Sequence, residues 1–263
     1  MRPPRPTRRR AGVIAWVTPK GDRTIVDSTT INLNVSFPRL SPDGRRVAFS
    51  GVGGIWVKQL DKGPSTKVTV EGTNSGYPSW SPDGKTLTYY SDALDPKLGL
   101  FQKRADGFGQ AQAITLPDNP VESSWSPDGK WLAYRTSVAA LGKGNILATL
   151  PGTNSKPVPI AVTEAHDNSP AISSDGKWLA YSSNETGRYE IFVVPFPDVG
   201  SSKWQVSSDG GSEPVWSRDG RQLFYRDGSG MMTSVPIEKG SSFVMGVPRK
   251  LFSAVSYIVC AAH

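Results

Sequence analysis

The stretch WSPDGK occupies residues 80–85, and close variants of it occur at four other places in the 263-residue chain. The copies begin at residues 40, 125, 172 and 216, and all share a large apolar residue followed by Ser-x-Asp-Gly. Their aspartates are Asp43, Asp83, Asp128, Asp175 and Asp219, which are separated by 40, 45, 47 and 44 residues. A period of about 40–45 residues is typical of the blades of a β-propeller.

Each copy has the same local pattern, which the second one illustrates. A short strand ends at Trp80, and Ser-Pro-Asp-Gly then forms a tight turn, because Pro presets φ and Gly takes a left-handed conformation. Three more segments with alternating apolar residues follow, at residues 86–90, 98–101 and 112–115. Four such strands make a sheet that is apolar on both faces, and stacking successive sheets around an axis buries those faces. A β-sandwich is the alternative all-β fold, but it does not explain the period.

The chain is therefore predicted to be an all-β propeller of four-stranded antiparallel blades, with five complete blades and an incomplete sixth. Residues 13–17 and 24–27 match the third and fourth strands of that sixth blade, whereas 255–259 supply one further strand at most. We predict a single propeller domain over residues 13–257, a basic disordered tail over 1–12 and a C-terminal tail over 258–263. The missing sixth motif predicts that the chain is a fragment of a longer protein or a prematurely terminated one.

Charge is concentrated at the start of the chain. The net charge is +7, but residues 1–10 contain five arginines and no acid, which leaves 25 basic against 23 acidic residues elsewhere. A nucleic-acid-binding domain usually carries a basic stripe on its folded surface. We therefore predict no nucleic-acid partner for the folded domain, although contact of the tail with anionic lipid or nucleic acid is an alternative. The apolar stretch 11–17 is too short to span a bilayer, so no membrane span is predicted.

Motifs that carry catalytic chemistry are missing from the sequence. It has no Gly-x-Ser-x-Gly nucleophile elbow, no phosphate-binding Gly-x-x-x-x-Gly-Lys loop and no kinase His-Arg-Asp or Asp-Phe-Gly element. The histidines are His166 and the terminal His263, and the turn aspartates are spread one to a blade. These observations predict a protein that is not an enzyme, with no catalytic residue, no metal site and no cofactor.

A binding site is expected on the loops at one end of the central channel, since function usually resides on loops held by a rigid scaffold. The residues just before the end of each first strand should crowd that entrance. The candidates for contact with a protein partner or a small ligand are Phe37, Arg39, Tyr77, Glu122, His166, Asn168 and Glu213.

The repeated Trp-Ser-Pro-Asp-Gly-Lys-x-Leu-Ala-Tyr unit resembles the WD40-like repeat of TolB-type six-bladed propellers, over residues 13–253. Residues 183–197 and 211–220 are most similar to propellers appended to bacterial membrane-bound serine/threonine kinases. Ser174 and Arg218 depart from the pattern, because they replace the turn proline. The resemblance implies a sensor or interaction module in an extracytoplasmic compartment, although the sequence shows no export signal.

Three functions stay open at this stage. The first is a non-catalytic module that binds a protein partner or senses a ligand on the loop-rich face. The second is the accessory propeller of a prolyl-oligopeptidase-like peptidase. The third is a propeller enzyme with its site in the central channel, which needs converging His or carboxylate groups.

Overall fold

The computed structural model describes residues 13–27, 35–61, 63–69, 74–92, 99–117, 119–136, 143–200 and 202–255. Within these ranges the chain forms 23 β-strands and no helix. Five sheets and a separate hairpin contain all of these strands. The prediction of an all-β propeller with five four-stranded antiparallel blades is confirmed.

Each blade is a meander whose first strand is innermost. Blade 1 contains β3 (Ser36–Leu40), β4 (Arg46–Gly51), β5 (Gly54–Gln59) and β6 (Ser65–Lys67). Blade 2 contains β7 (Ser75–Trp80), β8 (Thr86–Ser91), β9 (Gly99–Arg104) and β10 (Gln112–Ile114). Blade 3 contains β11 (Pro120–Trp125), β12 (Leu132–Thr136), β13 (Ile146–Thr149) and β14 (Val158–Ala161).

The last two blades continue the pattern. Blade 4 contains β15 (Asp167–Ile172), β16 (Trp178–Ser183), β17 (Glu190–Pro195) and β18 (Trp204–Gln205). Blade 5 contains β19 (Gly211–Trp216), β20 (Gln222–Asp227), β21 (Met231–Glu238), β22 (Val244–Met245) and β23 (Arg249–Ser253). The long β21 pairs with β22 at one end and with β23 at the other, so two short strands share the outer position of this blade.

The first two strands, β1 (Ile14–Val17) and β2 (Arg23–Asp27), form an antiparallel hairpin of their own. They match the two segments predicted as the third and fourth strands of a sixth blade. Within the described ranges no other strand pairs with this hairpin. The predicted tails, 1–12 and 258–263, lie outside those ranges, as does most of the segment 255–259.

The five Ser-x-Asp-Gly turns have one and the same hydrogen-bond pattern. In the second blade, Ser81 Oγ donates to Asp83 Oδ1 at 2.6 Å and accepts from the Thr86 N–H at 3.0 Å, while the Lys85 N–H donates to Asp83 Oδ1 at 3.0 Å. The glycines of all five turns have φ between 66° and 73° (Gly44, Gly84, Gly129, Gly176 and Gly220). The aspartates therefore occupy equivalent places and close turns.

Four buried apolar clusters join successive blades, as stacking of two-faced sheets requires. Between blades 3 and 4, for example, Ile146 and Ala148 pack with Tyr181 and Phe192. The other clusters join blades 1 and 2, blades 2 and 3, and blades 4 and 5. The turn tryptophans act as wedges: Trp80 Nε1 donates to the Arg39 carbonyl of the preceding blade at 2.9 Å.

Every inner strand contains a bulge next to a proline. Phe37, Tyr77, Ser169 and Glu213 each precede a proline and have φ between 49° and 55°. A residue before proline normally prefers an extended backbone, and a left-handed conformation is unfavourable for a residue with a Cβ atom. The ladder shifts register at each of these positions. In blade 3 the left-handed residue is Asn119, which lies three residues earlier than the equivalent position.

Candidate functional site: the mouth of the central channel

A cavity of about 250 Å³ lies where the five inner strands approach one another. We call it the channel-mouth cavity. All of the residues that the sequence pointed to line it, namely Phe37, Arg39, Tyr77, Glu122, His166, Asn168 and Glu213. Further lining comes from residues that the sequence did not single out, among them Arg135, Asp167, Ser169 and Tyr189.

The repeat explains why such distant residues meet. Phe37, Tyr77, Glu122 and Glu213 each lie three residues before the apolar residue that ends an inner strand, as Ser169 does in blade 4. Because the blades are equivalent, one residue from each blade reaches the same end of the channel. The bulges re-aim these side chains, which is a common role of bulges beside functional sites.

Glu122 is the centre of the polar network. Glu122 is 5% exposed. Its Oε2 atom lies 3.3 Å from Arg135 Nε and accepts a hydrogen bond from the Ser169 N–H at 3.1 Å. Its Oε1 atom lies 3.6 Å from Arg39 Nη2. A buried carboxylate needs charge partners and hydrogen bonds of this kind, since an unpaired one is costly. The network therefore ties blades 1, 3 and 4 together at the channel mouth.

An aromatic pair lies beside this network. The Phe37 and Tyr77 rings have centroids 4.1 Å apart and planes inclined at 33°. The Arg135 guanidinium carbon lies 5.7 Å from the centre of the Tyr77 ring, within the range of a cation–π contact. Phe37 stays 37% exposed, so an apolar surface remains open to a ligand.

Blade 5 repeats the glutamate–arginine pair of blade 3. Glu213 Oε2 lies 3.2 Å from Arg226 Nη2, and the Arg226 Nη1 donates to the Ala254 carbonyl at 3.1 Å. The Glu213 side chain is half exposed, unlike that of Glu122. In both blades the glutamate is on the first strand and the arginine is on the second.

The fourth blade supplies His166, Asp167 and Asn168 in succession. The His166 N–H donates to Asn184 Oδ1 at 2.7 Å, which fixes the chain just before β15. Asp167 is fully buried, and its Oδ2 accepts a hydrogen bond from Thr163 Oγ1 at 3.3 Å. Burial raises the pKa of Asp167 to about 6, against smaller opposing effects of hydrogen bonds from Ser183 and Thr163.

Sequence reasoning missed Asp167 and Ser169, which lie on the first strand of blade 4, and the site residues that lie outside the first strands. Arg135 and Arg226 directly follow the tyrosine that recurs in the second strands of blades 3 and 5. The ladder places Arg135 directly opposite Glu122. Aligning the second strands of the repeats would have revealed both arginines. Tyr189 lies in the loop before β17, where the repeat provides no comparable signal.

Two properties of the described ranges bear on the chemistry. They contain no group of three or more His, Cys, Asp or Glu side chains that could hold a metal ion. They also contain no helix with the length and apolar character needed to cross a membrane.

Fold and site together define a β-propeller with a polar, aromatic-lined cavity at one end of its channel. No protein-family profile matches the chain. A solved structure assigned to TolB, from Agrobacterium tumefaciens, is similar with a TM-score of 0.68 and 22% identity, over 88% of this chain and 84% of that one. A structure from a study of two prolyl endopeptidases has a TM-score of 0.54 and 15% identity, over 90% of this chain and 40% of that one. These likenesses show the fold.

One curated protein is similar in sequence. The "uncharacterized peptidase YuxL" of Bacillus subtilis is 31% identical over 99 residues, which is 34% of this chain. The chain spans only 15% of the length of that protein. The resemblance to TolB-type propellers that the repeats indicated is therefore supported by fold, whereas the link to kinase-associated propellers has no support among these similarities.

Proposed function

We propose that the chain is a non-catalytic binding module that holds a protein partner or a small ligand at the channel-mouth cavity. The observation that carries this proposal is the convergence of seven residues, from five blades, on one cavity. The charge pairs join neighbouring blades, but the exposed ring of Phe37 belongs to none of the buried apolar clusters of the described residues, so its position at the channel mouth is not explained by packing. Exposed aromatic groups beside paired charges are typical of sites that bind other molecules.

The charged groups of the cavity favour binding over catalysis. Glu122 is held between two arginines, and Glu213 is paired with Arg226, so neither carboxylate is poised as a general base. The cavity contains one histidine, His166, and the neighbouring Asp167 carboxyl is fully buried. An enzyme with its site in this channel is the alternative, and turnover that depends on His166 would support it.

A second candidate is the accessory propeller of a prolyl-oligopeptidase-like peptidase. The partial sequence match to the Bacillus subtilis peptidase and the likeness to a prolyl endopeptidase structure favour it. In that case the surface that matters is the one that contacts a peptidase domain. An α/β-hydrolase domain encoded next to this chain, and binding to it in a purified mixture, would favour this candidate over the first.

The proposal is tested by removing the exposed aromatic groups of the cavity. Phe37→Ala and Tyr189→Ala are combined, because these rings are 37% and 41% exposed. Phe108→Ala is the matched control, since Phe108 is 73% exposed and does not line the cavity. Proteins and metabolites captured from an extract of the native cells by the wild-type chain are identified, and each dissociation constant is then measured by calorimetry.

We expect the double variant to weaken binding by about 10-fold or more, as loss of aromatic anchors does at binding sites, while Phe108→Ala binds like the wild type. If a captured molecule binds the double variant as tightly as the wild type, or if Phe108→Ala weakens its binding equally, the cavity is not the binding surface.

We also propose an extracytoplasmic location and a sensor role, which rest on the resemblance to TolB-type and kinase-associated propellers. Fractionation of cells that express the full-length gene product tests the location. Recovery in the cytoplasmic fraction would contradict it.

A further inference from the structure

We infer that the channel-mouth cavity recognises a carboxylate group and that Arg39 is the residue that binds it. This inference rests on the proposed binding function and names the chemistry of the ligand. Three observations support it: the position of Arg39 in the repeat, the balance of charges around it, and the size and character of the cavity.

Arg39 is an exception among equivalent residues. It lies on β3, two residues after the left-handed Phe37, at a position where the side chain lines the cavity. The residues at the same position in the other blades are uncharged and smaller: Ser79, Ser124, Ala171 and Val215. The blade fold therefore does not need an arginine here, which indicates a role for the guanidinium itself.

The charges around Arg39 do not neutralise it. Glu122 is shared between Arg39 and Arg135, so two guanidinium groups face one carboxylate. The second carboxylate at the rim, Glu213, is paired with Arg226. Asp167 also lines the cavity, but it is fully buried, whereas the Arg39 side chain is 37% exposed. Of the two arginines that line the cavity, Arg39 is the one a ligand can reach, because the Arg135 side chain is only 12% exposed.

Within the part of the chain that the structure describes, the hydrogen-bond donors of Arg39 are only partly used. Its Nη1 donates to the Pro38 carbonyl at 3.1 Å, and its Nη2 lies 3.6 Å from Glu122 Oε1, which is longer than a hydrogen bond. Guanidinium groups bind carboxylates through two parallel N–H···O bonds, and such pairs are stronger than neutral hydrogen bonds. Glu122 holds the guanidinium in place without using up this capacity.

The cavity also limits what carries the carboxylate. Its volume of about 250 Å³ suits one large side chain or a chain end, whereas pockets for drug-sized ligands run from about 300 to 1,000 Å³. The Phe37–Tyr77 pair provides an apolar wall next to Arg39. The expected ligand is a carboxylate with an apolar group attached, either the C-terminal residue of a peptide or an acidic side chain next to an apolar one.

The test compares matched small probes by calorimetry on the intact chain. The probes are 3-phenylpropanoate, its uncharged amide 3-phenylpropanamide, and 3-phenylpropylamine. Two further arms distinguish the sources of the carboxylate: the dipeptide Ala-Phe with a free C-terminus against its C-terminal amide, and N-acetyl-Phe-Asp-amide against N-acetyl-Phe-Asn-amide. The variants are Arg39→Gln and Arg39→Lys, and the control is Arg45→Gln. Arg45 is exposed and lies on the same blade, in the turn that joins β3 to β4.

We expect the acid to bind at least ~10-fold more tightly than the amide and the amine, because a charge-assisted hydrogen bond contributes that much or more. Arg39→Gln should remove this preference, Arg39→Lys should keep part of it, and Arg45→Gln should leave it unchanged.

Equal binding of acid and amide, no binding of the acid, or an unchanged preference in Arg39→Gln would overturn the inference. Thermal unfolding of each variant separates loss of the ligand contact from loss of the fold. If Arg39→Gln does not fold, Arg39→Lys still tests the inference, because it should keep part of the preference for the acid. Binding of the amide that still requires Phe37 and Tyr189 would leave the binding function standing while the carboxylate inference fails.

Discussion

At the scale of single residues, the pKa of an aspartate side chain shifts in opposite directions in two environments of this protein. A hydrogen bond from Ser81 lowers the pKa of Asp83, and the Lys85 N–H adds to this effect, so the charged form is favoured in the turn. Burial raises the pKa of Asp167 to about 6, and among the residues described its Oδ1 has no hydrogen-bond partner. The ionised form of Asp167 is thus a source of instability beside the cavity.

Asp167→Asn is expected to stabilise the protein above pH 6. The folded-state pKa of Asp167 is raised above the usual 3.8, so the folded state binds the proton more tightly than the unfolded state, and the stability contributed by the protonated form is lost as pH rises from about 4 to 6. Asparagine imitates that protonated form. Urea unfolding should show a more stable variant at pH 8, by up to ~3 kcal/mol for a shift of this size, and no difference near pH 4.

Asp83→Asn is the control for this prediction, because its sign is opposite. The pKa of Asp83 is lowered, so its contribution is present above the unfolded pKa and is lost as pH falls through the folded one. This variant should be less stable than the wild type at pH 7. A destabilised Asp167→Asn protein at pH 8, or an effect that does not vary with pH, would mean that burial of the charge is not costly.

At the scale of the strand, each inner strand gains its shape from a left-handed residue before a proline. The arrangement costs free energy, because a residue with a Cβ atom is disfavoured there by roughly 1–2 kcal/mol. Such strain is often found at functional sites, where the surrounding structure holds it in place. At Ser169 the strained backbone allows a specific contact, because it directs the Ser169 N–H toward Glu122 Oε2, which accepts a hydrogen bond from it.

Ser169→Gly is therefore expected to be more stable than Ser169→Ala by about 1 kcal/mol, since glycine accepts φ of 54° without the Cβ penalty. Both variants keep the backbone N–H that Glu122 needs. Ala171→Gly, two residues further along the same strand, is the control and should be destabilising, because its backbone is not left-handed. Chemical unfolding provides the measurement, and equal stabilities of the two Ser169 variants would argue against strain at the bulge.

The strands also show how far sequence reasoning extends. The Ser-x-Asp-Gly turns and the strands that flank them were predictable because each repeat carries the same alternation of apolar residues. Strand ends were less predictable: the segment predicted at 98–101 continues to Arg104 as β9, because the last three residues of that strand are polar and extend no apolar alternation. Phe37 and Glu122 were found from their place in the first strands, whereas Arg135 lies on a second strand, opposite Glu122, and required the second strands to be compared as well.

At the scale of the whole molecule, the junction between blade 5 and blade 1 is unlike the other four. The buried apolar clusters found in the described ranges join each blade to the next from blade 1 to blade 5, and none of them joins blade 5 back to blade 1. A ring is stable only when every blade face is covered. Other contacts must therefore cover this junction.

The turns indicate one such contact. At the third position of each motif, a side chain reaches the turn glycine of the following blade: Pro42 lies by Gly84, Pro82 by Gly129, Pro127 by Gly176 and Ser174 by Gly220. In blade 5 that position is Arg218, and a Cβ atom built on Gly44 of blade 1 would lie 2.8 Å from Arg218 Nη1. The departure from proline that weakens the sequence motif thus supplies a side chain long enough to cross to the first blade.

Replacing Arg218 with the proline of the motif should consequently destabilise the ring, although the same change in blade 4 should not. Ser174→Pro is the matched control, and we expect it to stabilise the protein by about 0.4–1 kcal/mol, because proline restricts the unfolded chain at a position whose equivalents are proline. Arg218→Pro gains the same restriction but loses the contact with Gly44, so it should be less stable than Ser174→Pro by about 1 kcal/mol, a modest surface contribution. Urea unfolding measures the difference, and sedimentation velocity detects association through the strand edges that an opened ring exposes. Equal stabilisation by the two prolines, with both proteins monomeric to the same extent, would show that Arg218 does not help to close the ring and that the junction is covered in another way.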